Sequence, residues 1–182
     1  YKRQGKKLVA VDIETTSLSP FYSKILMIGM ALDGEEAVVV PFTKKGGVPY
    51  WSEKDEAKVR KVVQKIMREA PTMFQNAAFD TWHLERHGFH VGNLKEDTML
   101  AHHAIHPELP HNLGYIVSVY GKTPYWKDVV LGSEDRMINM EDAEVRTYNA
   151  RDTVVLHQII PGLHKDLEEM GTMETYRKWS MR

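Results

Sequence analysis

The run Leu8-Val9-Ala10-Val11-Asp12-Ile13-Glu14 constrains the fold of this 182-residue chain more than any other feature. It is apolar and rich in β-branched residues, so it reads as a strand, whose side chains alternate between two faces. Val9, Val11 and Ile13 then point one way, while Asp12 and Glu14 share the other. One face joins a core, and the other carries two carboxylates side by side.

Turn residues between Thr15 and Ser23 separate this strand from the apolar run Ile25 to Leu32. Asp33-Gly34 reads as a tight hairpin turn into Ala37 to Phe42, which makes an antiparallel meander of three strands. From Ser52 the period changes: Val59, Val62, Val63, Ile66 and Met67 recur at three and four, Ser52 with Asp55 resembles a capping box, and Pro71 closes the helix. Thr72 to Gln75 reads as a fourth strand, with Asn76 as the N-cap of a helix that holds Asp80 and ends at Gly88.

Helices follow at Asp97 to Ile105 and Asn112 to Tyr120, then a loop from Gly121 to Gly132. A long helix begins near Glu141 and reaches Ile160, where Pro161 is expected to kink or end it; Leu167 to Trp179 reads as one more helix. Three antiparallel strands followed by alternating helix and strand predict an α/β domain, a mixed central sheet flanked by helices.

Two more acids belong with Asp12 and Glu14. Asp80 ends the segment Asn76-Ala77-Ala78-Phe79-Asp80, near a strand end, and Asp152 ends Tyr148-Asn149-Ala150-Arg151-Asp152. Tyr148 and Asp152 are four apart on the long helix, so a phenol lies one turn from a carboxylate on one face. Four carboxylates brought together repel one another and stay ionised near neutral pH only beside cations. Hard divalent ions such as Mg²⁺ prefer oxygen ligands.

Lys plus Arg number 24 and Asp plus Glu 25, so overall charge gives no nucleic-acid signature, and any basic path must be local. Candidates are Lys2, Arg3, Lys6, Lys7, Lys122, Lys127 and Arg151. The chain has no cysteine, which excludes disulfides and thiolate metal sites and suits a reducing compartment, with cytosol the default expectation. No apolar run approaches the roughly 20 residues of a spanning helix, so no membrane role is expected. His102, His103, His106 and His111 invite a zinc reading, but without cysteine or a clear carboxylate-backed pair they read as packing and surface residues.

The ordered set Asp-Ile-Glu-Thr-Thr from Asp12, Gln-Asn-Ala-Ala-Phe-Asp from Gln75 and Tyr-Asn-Ala-Arg-Asp from Tyr148 resembles the DEDD 3′-5′ exonucleases, in the subclass whose third motif begins with tyrosine. Glu96 to Leu100 and His111 to Leu113 are similar to connecting segments of the proofreading domain of bacterial and phage family A DNA polymerases. The resemblance covers about Leu8 to Ile160 and implies a ribonuclease H-like fold. It also implies two Mg²⁺ or Mn²⁺ ions, one held by Asp12, Glu14 and Asp152 and one by Asp12 and Asp80, with Tyr148 orienting the attacking water. Leu18 would wedge against the terminal base, Trp126 would support the substrate end, and Gln75 and Asn76 would lie near the terminal nucleotide.

The expected substrate is single-stranded DNA or a DNA 3′ end. Residues 1–182 would be a single exonuclease domain cut from a larger polypeptide that also carries a polymerase domain. The alternatives are a ribonuclease D-like RNA-trimming enzyme, which shares the acids and the tyrosine, and a catalytically silent nucleic-acid-binding module.

Overall fold

The computed structural model describes residues 7–127 and 140–181. Lys2, Arg3, Lys6 and the end of the expected loop at Gly132 lie outside them. Strand β1 (Val9–Thr15) pairs antiparallel with β2 (Ile25–Ala31), which pairs antiparallel with β3 (Ala37–Pro41). A small ribbon, β4 (Thr43–Lys44) with β5 (Val48–Pro49), follows. Helix α1 (Glu53–Glu69) starts at Ser52, whose hydroxyl accepts the Asp55 N–H. Strand β6 (Thr72–Phe74) then returns parallel to β1, and after α2 (Ala77–Arg86) β7 (Leu94–Asp97) pairs parallel to β6. The sheet order is β3-β2-β1-β6-β7, the mixed sheet expected.

The rest of the chain is helical: α3 (Thr98–Ile105), α4 (Leu113–Tyr120), α5 (Asp142–Glu169) and a short α6 (Met173–Thr175) that runs into a wide turn over Tyr176–Ser180. Alternation along β1 divides the interior in two. Val9, Val11 and Ile13 enter a core with Val63 and Met67 of α1 and Leu84 of α2. Ala10 enters a second core with Val155, Leu156, Ile159 and Leu163 of α5. Asp12 and Glu14 thus face α5, and both cores hold the strand that carries them.

Several local expectations are corrected. Asp33-Gly34 is not a tight turn: Ala31 pairs with Ala37, and the wider loop between them is held by the Asp33 carboxylate accepting the N–H groups of Glu35 and Glu36. Asn76 stands at the start of α2 but in a left-handed conformation, φ 64°, with no side-chain cap. Its place is taken by Asp97, whose carboxylate accepts the N–H groups of Asn76 and Ala77 at α2 and of Met99 and Leu100 at α3. One buried acid caps two helices.

Pro161 does not end α5, which runs on to Glu169. A proline inside a helix costs about 3 kcal/mol. Full burial of Leu163 and Leu167 beyond it contributes about 1.5–3 kcal/mol each and outweighs that cost. The last expected helix is broken instead at Gly171, φ 70°. There the chain turns so that the Tyr176 hydroxyl reaches Glu96 at 2.9 Å, while Arg177 pairs with the same carboxylate at 2.7 Å. Strand β7 carries a single apolar residue, Leu94, and is held at the sheet edge partly by this polar anchoring, so no apolar alternation announces it.

Candidate active site

Asp12 lies at the middle of β1 and Glu14 near its C-terminal end, and α5 packs against the strand. The packing is close because β2 carries Gly29 directly opposite Asp12. A β-carbon at Gly29 would stand 2.4 Å from Asn149 Oδ1 and 2.9 Å from Thr153 Cγ2. Asn149, fully buried, uses the space to donate from Nδ2 to Asp12 Oδ2 at 2.7 Å and to the Asp12 carbonyl at 3.3 Å. Gly29→Ala should therefore push α5 off the sheet, lowering stability by about 1–3 kcal/mol and reducing activity more than Ala-for-Gly effects elsewhere. Thermal denaturation alongside a nuclease assay checks this, and an unchanged melting curve would contradict it.

One carboxylate oxygen each from Asp12, Glu14 and Asp152 lies within 4.8 Å of the others, the one such grouping of three metal-ligating side chains among the described residues. Asp80 is adjacent but separate: its Oδ1 accepts the Ile13 N–H at 3.3 Å. Burial, then the charge of Asp152, lifts Asp12 from the ordinary carboxylate range to about 8. Glu14 is raised by burial and then by Asp12, and Asp80 by the same two causes. Asp152 is raised by burial despite its cationic neighbour. Buried, mutually repelling oxygens are a donor set suited to a hard divalent cation.

Tyr148 stands one turn before Asp152. Burial, then Asp152, raises its phenol, which stays protonated. Lys127 donates to the Tyr148 hydroxyl at 2.9 Å and forms an ion pair with Asp152. Trp126 donates its indole N–H to Asp152 Oδ1 at 2.7 Å and is only 4% exposed. The ring belongs to the core cluster that also holds Ile160 and Leu113, which leaves little of its surface for a base. The exposed neighbour is Tyr125. Between Trp126, Tyr148, Thr147, Ala143, Glu144 and Arg151 lies an open pocket of about 320 Å³.

Leu18 is 63% exposed on the loop after β1, with Phe21 and Tyr22 also exposed. Gln75 spends its amide on the protein: Nε2 donates to the His111 carbonyl at 2.7 Å and Oε1 accepts from Thr98. Among the basic candidates, Lys7, Lys122 and Arg151 are exposed, whereas Lys127 is committed to the acids. The histidines do not converge on one point: His111 meets His102 through Nδ1 at 2.8 Å and His103 through Nε2 at 3.0 Å. Asn149, Gly29 and the Lys127 pairing are additions to the residues expected. Only the presence of Asn149 inside the third motif offered a signal.

A five-stranded mixed sheet with acids on its central strand and on the helix packed against it defines a ribonuclease H-like nuclease fold. A 3′-5′ exonuclease family model of the DNA polymerase A type matches residues 1–168, and the chain belongs to that family. It is 27% identical over 179 residues to DNA polymerase I of Synechocystis, covering 93% of this chain but 18% of that protein, so it spans under a fifth of that relative. Brucella melitensis NrnC superposes with a TM-score of 0.71 at 20% identity, over 95% of this chain and 79% of the other; it is also solved with bound Mg²⁺ and with pGG. Escherichia coli RNase D, an exoribonuclease involved in structured RNA processing, gives 0.63 at 16% identity, over 95% and 43%. At such identities these structures speak for the fold alone.

Proposed function

We propose that this chain removes mononucleotides from the 3′ end of single-stranded or frayed DNA with two divalent ions, Mg²⁺ or Mn²⁺, and serves as the proofreading module of a DNA polymerase. The convergence of Asp12, Glu14 and Asp152 oxygens within 4.8 Å, with the Tyr148 phenol one helical turn away, carries the reading. The Synechocystis polymerase supports DNA over RNA, being the relative with 27% identity along nearly the whole chain. The presence of all four acids argues against a silent module.

Asp12, Glu14 and Asp152 would hold one ion, and Asp12 with Asp80 the second. Bound there, such ions polarise the phosphoryl oxygen and make water nucleophilic near neutral pH. Tyr148, held protonated, is suited to orienting that water by hydrogen bonding, not to taking its proton. Asn149 fixes one oxygen of Asp12 by its hydrogen bond. Leu18, exposed on the loop after β1, would wedge against the terminal base. Gln75, anchored to His111 and Thr98, and Asn76 would lie near the terminal nucleotide.

Holding an end open costs a few kcal/mol for paired bases and less for mismatched ones. Rates should therefore fall from single strand to mismatched end to matched duplex, with Leu18→Ala slowing duplex ends more than single strands. Matched DNA and RNA oligonucleotides with 5′ labels test the substrate class, and faster trimming of RNA would overturn the DNA assignment in favour of an RNA-processing enzyme.

A further inference from the structure

We propose that Lys127 is a tethered cation that must be exchanged for an incoming divalent ion at Asp152, and that the same exchange releases the Tyr148 hydroxyl. The inference rests on the metal-centre reading of the three acids. Both oxygens of Asp152 are committed to protein donors: Oδ1 accepts the Trp126 indole N–H at 2.7 Å, and Oδ2 holds the Lys127 ammonium. The indole N–H lies in the core and adds no charge, so it can stay. The ammonium sits on the remaining oxygen and has no such permanence beside a divalent cation.

Lys127 is suited to exchange by its position. Its side chain retains 19% exposure, so it has a way out to solvent, whereas Asp152 is buried. Its ammonium lies 4.5 Å from the centre of the Tyr148 ring and 5.4 Å from that of Trp126, so the stem is guided by two aromatic faces. One ammonium contacts both Asp152 and the Tyr148 hydroxyl. Its departure therefore opens a ligand oxygen and frees a hydroxyl lone pair in one movement. Until then the lysine supplies the positive charge that keeps neighbouring acids together. Lys127 is thus a positioning residue whose occupancy opposes that of the ion.

Titrating Mn²⁺ calorimetrically into the whole chain without nucleic acid tests this. Lys127→Gln removes the charge and should tighten Mn²⁺ binding by about tenfold or more, while Lys127→Arg, which keeps the charge and adds a bidentate hold on the carboxylate, should bind no more tightly than wild type. In chelator Lys127→Gln should melt below wild type and recover a larger increment on adding Mn²⁺. Lys127→Met gives the same comparison where the glutamine variant does not fold. Equal or weaker Mn²⁺ binding by the uncharged variants would overturn the exchange. Failure of the wild type itself to bind Mn²⁺ would instead overturn the metal-centre reading on which it rests.

Discussion

Asp12→Asn will lose nearly all nuclease activity, by about three orders of magnitude or more, and will gain stability in chelator. The loss follows because the substitution removes a charged oxygen donor that the proposed centre shares between two ions, worth several kcal/mol of charge stabilisation at roughly 1.4 kcal/mol per tenfold. The gain follows from linkage. Asp12 is held at about 8 in the folded protein against an ordinary 3.8, so folding favours its protonated form. The penalty is absent below about pH 4, grows as pH rises, and is complete once pH passes the folded value near 8. Metal-free wild type should accordingly lose stability across that window, and Asp12→Asn should lose less. Asparagine also keeps an acceptor for the Asn149 amide. Circular dichroism melts between pH 5 and 8 in chelator check the sign; parallel curves for the two proteins would contradict it.

Asp152 behaves differently. Relief of carboxylate repulsion would by itself hold or raise the stability of both Asp12→Ala and Asp152→Ala. The structure separates them. Asp152→Ala would leave the Lys127 ammonium and the Trp126 N–H without their partner, a cost of about 2–4 kcal/mol that opposes any relief. Activity should vanish in both, and stability should rise only at Asp12.

Tyr148→Phe deletes a hydroxyl and keeps the ring that covers Lys127. Turnover should fall by about one to three orders of magnitude with little change in substrate affinity, because the lost interaction is made to the attacking water and not to the bound strand. Single-turnover rates at saturating enzyme resolve this. An unchanged rate would leave Tyr148 only its packing and its contact with Lys127.

The acids were legible because strand alternation and helical spacing are local. Val9, Val11 and Ile13 had to take one core, so Asp12 and Glu14 had to share the other face, and Tyr148 four before Asp152 had to share a helix face. What was illegible is tertiary. Asp97 caps α2 from 20 residues away, and the cap role went instead to Asn76, the polar residue standing at the right local position. Gly29 matters because α5 lies on it, a contact 120 residues distant along the chain. Lys127 was visible as a basic residue for the strand's path, but its partner Asp152 is fixed by how a loop folds onto a helix. Trp126 was visible as an aromatic residue, but its burial and its indole hydrogen bond to Asp152 depend on the same tertiary packing. Pro161 failed as a helix breaker because core burial on its far side outweighed the local penalty.

The most direct test is the product pattern from 5′-labelled single-stranded DNA incubated with Mg²⁺ or Mn²⁺ and, in parallel, with excess chelator. With metal, the label should shorten stepwise from the 3′ end and release mononucleotides, a 3′-phosphate should block attack, and chelator should silence the reaction. Internal cuts, or hydrolysis undiminished in chelator, would contradict a metal-dependent 3′-5′ exonuclease.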